Sequence, residues 1–150
     1  MKIKKITAKK ILDSRNKPTV EARLETKDGI FFASVPSGTS VGSHEAKTVS
    51  PEKAIENIEK IISPSIKDKE FSGAPENQKK FDQILLKLDG TSGKSFLGAN
   101  AILPVSIAAA RALANDSDLT LYNHIRQIYE ISGGLPSGES VFAAAVFSHR

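Results

Sequence analysis

The sequence predicts an α+β fold: a three-stranded antiparallel β-meander followed by a layer of four helices. Three observations predict it. Hydrophobic residues alternate with period two over residues 19–26, the apolar spacing becomes helical after residue 50, and the strands all precede the helices with no βαβ alternation. The chain has 150 residues, the ordinary size of one compact domain. A complete (β/α)8 barrel takes about 250 residues and does not fit.

Each element has its own warrant. Lys2 to Leu12 is rich in Ile and Thr and supplies a first strand. The second covers residues 19–26, where Val20, Ala22 and Leu24 fall on one face and Thr19, Glu21, Arg23 and Glu25 on the other. Pro18 opens it, where a missing N–H is tolerated. Lys27-Asp28-Gly29 carries the Asp-Gly hairpin signal, and Ile30 to Val35 returns as the third strand.

Ser50-Pro51 is an N-cap followed by proline at the first helical position. Ala54, Ile55, Ile58, Ile61 and Ile62 form the first helical stripe, which Ser63-Pro64 is expected to end. A second helix starts near Pro75, carries Phe81, Ile84, Leu85 and Leu88, and stops at Gly90. The third, from about Ala99 to Ala114, is apolar on most sides and is predicted to be the buried hub, with Pro104 costing up to about 3 kcal/mol if fully interior. The fourth begins near Asp118, carries Leu121, Tyr122, Ile125, Ile128 and Tyr129, and stops at Gly133-Gly134.

Composition excludes several function classes. With no cysteine there is no disulfide framework, thiol nucleophile or thiolate metal site, and a reducing cytoplasm is the expected setting. No stretch approaches the ~20 apolar residues of a membrane span, and the basic start lacks the apolar core of a secretory signal. The formal charge is +4, and residues 1–50 hold ten Lys/Arg against five Asp/Glu. No aromatic residues interleave those lysines, so the surplus reads as the solvated face of a ribbon and not as a nucleic-acid platform.

Gly90 to Ser95 looks like a phosphate-binding loop, but the required spacing places its first glycine at Leu88, and a helix precedes it instead of a strand. His44, His124 and His149 have no partner at metal-ligand spacing, and His124 beside its apolar stripe is expected at the surface or boundary. The loop from Val35 to Ala46 is different. Ser37 to His44 contains two glycines, three serines and a threonine directly after a strand. Hydroxyl and carbonyl oxygens suit a hard cation such as Mg²⁺, though with Glu45 as its one carboxylate the loop could contribute only one or two ligands.

Four segments resemble the N-terminal domain of enolase, the phosphopyruvate hydratase of glycolysis. They are Asp13-Ser14-Arg15 with Pro18-Thr19-Val20-Glu21; Ser34 to Ser40 with Glu45-Ala46; Leu88-Asp89-Gly90-Thr91 with Lys94-Ser95; and Leu97 to Leu103 with Val105-Ser106. Leu121-Tyr122 and Leu135-Pro136 extend the likeness. The resemblance implies a domain over 1–136 and a divergent apolar tail over 137–150. It also implies a lid of Ser37, Gly38, Thr39, Ser40 and Gly42, with Ser40 as a Mg²⁺ ligand, and subunit-interface positions at Arg15 and Glu21. In that family the chemistry resides in a C-terminal barrel, whose carboxylates bind the first Mg²⁺ and whose lysine abstracts the proton alpha to the substrate carboxylate.

Departures from the family pattern accompany the likeness. Asn16-Lys17 replaces a Gly-Asn pair, Val41 replaces a lid threonine, and Pro104 replaces a helix glycine. The charged stretch that usually follows Glu-Ala is absent, and the match stops after Leu135-Pro136. With no catalytic residue assigned within these 150, the expectation is a capping domain without turnover of its own, Mg²⁺ binding only beside a barrel. Two alternatives are the lid piece of a split or longer enolase and a non-catalytic interaction module. The partner would be a separate barrel chain or a second copy of this chain. The apolar run Val141 to Phe147 is expected to pack on the helices or on another chain.

Overall fold

The computed structural model describes residues 1–38, 42 and 45–131. Strands β1 (Ile3–Leu12), β2 (Pro18–Thr26) and β3 (Ile30–Ser34) form one antiparallel sheet in the order β1-β2-β3. The register pairs Ala8 with Ala22 and Ala22 with Ala33, and Ile6 with Leu24 and Leu24 with Phe31. One face therefore collects Ile6, Val20, Ala22, Leu24 and Ala33, all buried. The Asp-Gly turn is closed by Thr26, whose hydroxyl accepts from the Asp28 and Gly29 amides at 3.1 and 3.2 Å.

The first expected helix is longer than its sequence signals. Helix α1 (Pro51–Asn57) starts where expected, the Ser50 hydroxyl accepting from the Lys53 amide at 3.2 Å. It runs on through a π-helical turn (Ile58–Ile62) into α2 (Ser63–Ile66), so Ser63-Pro64 does not end it. In the wide turn the Ser63 amide reaches back five residues to the Ile58 carbonyl, and Pro64, which has no N–H to place, stands in the first turn of the next segment. Ile58, Ile62 and Ile66 stay fully buried throughout. The same run covers the open edge of β1, where the Ile6 amide donates to the Ser63 hydroxyl at 3.1 Å.

Helix α3 (Glu76–Asp89) ends on Gly90, which adopts φ 69° and returns its amide to Leu86. Helix α4 (Ala99–Asp116) packs across β2 and β3 and is the hub of the helical layer, with Pro104 accommodated inside it. Helix α5 (Leu121–Ile131) lies against α4 and α3. His124 is not at the surface or boundary: it is the fully buried residue of α5, the helix that packs against α4 and α3. Asp82 is buried too, its Oδ1 accepting from Gln78 Nε2 at 3.0 Å and the Ser106 hydroxyl at 2.6 Å. The Met1 ammonium pairs with Asp116 at 2.6 Å and donates to the Phe71 carbonyl at 2.7 Å.

Among the described residues no helix is long and apolar enough to cross a membrane. The expected stop at Gly133-Gly134, the 1–136 boundary and the apolar run Val141 to Phe147 lie outside the described residues.

Candidate functional site

The serine-rich loop leaves β3 and rejoins the fold at α1, and both its ends are fastened. At the near end the Thr19 hydroxyl donates to the Val35 carbonyl at 2.5 Å. Two residues on, Ser37 donates to Asp13 Oδ2 through its hydroxyl at 2.6 Å and its amide at 3.2 Å. Arg15 Nη2 donates to the Ser37 hydroxyl at 3.1 Å and to the Gly38 carbonyl at 2.8 Å. Gly38 sits at φ 69°, a conformation that glycine adopts without strain. The Ser37 hydroxyl and then the Lys17 amide hold the Asp13 carboxyl far below the usual carboxylate range, outweighing the opposing push of burial.

At the far end the chain is stitched to the loop before α4 and to α4 itself. The Lys47 amide donates to the Gly93 carbonyl at 2.7 Å, and the Ala99 amide donates to the Lys47 carbonyl at 2.8 Å. Asn100 grips Val49 twice, accepting from its amide at 3.0 Å and donating to its carbonyl at 2.8 Å. Gly98, at φ 91°, lets Val49 come close: a Cβ there would lie 2.7 Å from Val49 Cγ2 and 2.8 Å from Asn100 Oδ1.

Gly90 to Ser95 is part of this far support and not a phosphate cradle. Asp89 organises it, accepting from the Thr91 amide at 3.0 Å, from the Thr91 hydroxyl, and from the Leu97 amide at 2.7 Å. Burial pushes the Asp89 carboxyl up, but those hydrogen bonds together outweigh it and hold the group below its ordinary value. Lys94 turns back to the Ser92 carbonyl at 2.9 Å.

Of the residues expected in the lid, Ser37 and Gly38 stand at the near support and Gly42 accepts from the Glu45 amide at 3.2 Å. Thr39 and Ser40 lie outside the described residues. Arg15 belongs to the near support, with a third of its side chain exposed. Glu21 lies apart on the outer sheet face, paired with Lys9 at 2.9 Å in a shallow cleft where Arg23 covers the Phe32 ring.

Asp13, Gly98 and Asn100 lie within the motifs shared with the family, and the sequence alone gives them no role. For Asp13 a signal existed: aspartate ahead of a turn commonly accepts from the amides that follow. For Asn100 there was none, because its partner is 51 residues away.

Among the described residues no three His, Asp or Glu side chains converge as a cation cage, and both Asp13 oxygens are taken by internal donors. The described part of the chain thus supplies a supported loop and does not by itself fit the full ligand set of a Mg²⁺ ion. Residues 3–125 match the family model described as enolase, N-terminal domain.

Proposed function

This chain belongs to the family of enolase N-terminal domains, and on that premise we propose that it caps an enolase active site, its Val35 to Ala46 loop acting as the lid. Thr39, Ser40 and Gly42 cover the substrate with Ser37 and Gly38 at their base, and Ser40 contributes one oxygen ligand to Mg²⁺. The remaining ligands and the lysine base come from a barrel, on another chain or on a continuation of this one. The reaction served is the interconversion of 2-phosphoglycerate and phosphoenolpyruvate, a lyase step of glycolysis in the cytoplasm. Arg15 and Glu21 are the cross-subunit contacts of a homodimer.

The observation that supports this reading is the double fastening of the loop. Asp13 and Arg15 hold one end while Gly93, Ala99 and Asn100 hold the other, so the residues between them are presented from a fixed base. A second reading, an interaction module without turnover, is favoured by the exposed Tyr122, Tyr129 and Ile131 on α5.

Ultraviolet absorbance of phosphoenolpyruvate separates the two. With Mg²⁺ and 2-phosphoglycerate the pure chain is expected to give none, and adding a barrel-bearing enolase chain is expected to produce it. Turnover by the pure chain refutes the requirement for a barrel. Binding to the barrel chain without turnover supports the interaction module.

A further inference from the structure

Resting on the reading of the loop as a lid, we propose that Asp13 and Arg15 are positioning residues that set the lid's near end from the β1–β2 turn. One carboxylate does two things at once. Asp13 Oδ1 accepts from the Arg15 and Lys17 amides at 2.8 and 2.9 Å, closing its own turn. Backbone bonds from the Asp13 amide to Lys17 and from the Asn16 amide to Asp13, at 2.9 and 3.0 Å, lock that turn further.

Asp13 Oδ2 faces the other way and holds the loop through the Ser37 amide and hydroxyl. The Arg15 guanidinium closes the ring, donating to the Ser37 oxygen and the Gly38 carbonyl and lying 3.4 Å from Asp13 Oδ2. The Ser37 hydroxyl therefore gives its proton to Asp13 and accepts one from Arg15, so its rotor has a single satisfactory orientation. The bonds involve charged partners, the stronger class, and the Asp13 side chain is only 5% exposed. Residues 24 apart in sequence are joined here by polar side chains.

Amide exchange of the full-length chain, followed by NMR, tests the assignment. Ser37→Ala and Arg15→Gln are expected to speed exchange of the Ser37 amide by about tenfold, since hydrogen bonds to charged groups are lost. Ser37→Thr, which keeps the hydroxyl, is expected to retain protection. The amides of Leu24 and Val105 are expected to exchange as in the parent. Unchanged exchange at Ser37 in both variants overturns the proposal, and so does an equal loss at Leu24 and Val105, which would show general destabilisation. The measurement needs neither metal nor substrate. A failed barrel assay therefore overturns the lid reading alone, and an unchanged Ser37 overturns the positioning role alone.

Discussion

His124 and Asp13 both titrate below their ordinary values, one through burial and the other through hydrogen bonds to its charged form, and each ties the protein to pH. Among the described residues neither ring nitrogen of His124 has a hydrogen-bond partner, and the side chain is fully buried, so burial depresses its pKa and keeps it neutral. In the unfolded chain the imidazole titrates near ~6.5. As pH falls below that, the unfolded state gains a proton that the folded state lacks, so stability declines until the folded pKa is passed. Denaturant titrations of the parent between pH 7 and 5 are expected to show that decline, and His124→Met is expected to flatten it. Removing two unpartnered nitrogens also favours that variant by about 1 kcal/mol at pH 7. Asp13 is a carboxyl with a depressed pKa, so its contribution is complete above the ordinary carboxylate range and is lost only as pH falls beneath it. Circular dichroism and NMR at pH 4 are expected to find the near support intact.

The far support is sensitive to small substitutions because its backbone approaches are close. Gly98→Ala places a methyl against Val49 at a φ that alanine resists, and a cost of about 2 kcal/mol is expected from strain and close approach together. Asn100→Asp keeps an acceptor for the Val49 amide but loses the donor to its carbonyl, leaving two oxygens facing each other. Thermal melts are expected to rank Asn100→Asp below Asn100→Ala for that reason.

The strands and helices were legible because period-two and helical spacing are local patterns that burial enforces. The Ser50 cap and the Gly90 stop were legible for the same reason. Pro64 misled because its local meaning is a helix end, whereas a π-helical turn supplied by the preceding residues removes the conflict. His124 misled because position on a stripe does not say how closely two neighbouring helices approach. The loop's supports were illegible because they join Asp13 to Ser37 and Val49 to Asn100 by single side chains with no periodic trace.

Among the described residues, one sheet face, the continuous α1–α2 run, α3 and α4 form the core, while the two ends of the loop are tied to the β1–β2 turn and to the start of α4. The outer sheet face, with Lys9 paired to Glu21 and Arg23 over Phe32, is the surface proposed to meet a second subunit. Light scattering is expected to find a dimer that Glu21→Lys weakens, since the substitution sets a second cation beside Lys9.

The role proposed for Ser40 as a Mg²⁺ ligand is tested by one kinetic comparison. The parent chain, Ser40→Ala and Ser40→Thr are each mixed with a barrel-bearing enolase chain, Mg²⁺ and 2-phosphoglycerate, and phosphoenolpyruvate is followed by absorbance. Turnover is expected with the parent, a fall of at least about a hundredfold in kcat for Ser40→Ala, in line with the loss of one stabilising oxygen in a preorganised site, and partial retention for Ser40→Thr. Equal rates for all three mixtures would contradict that role.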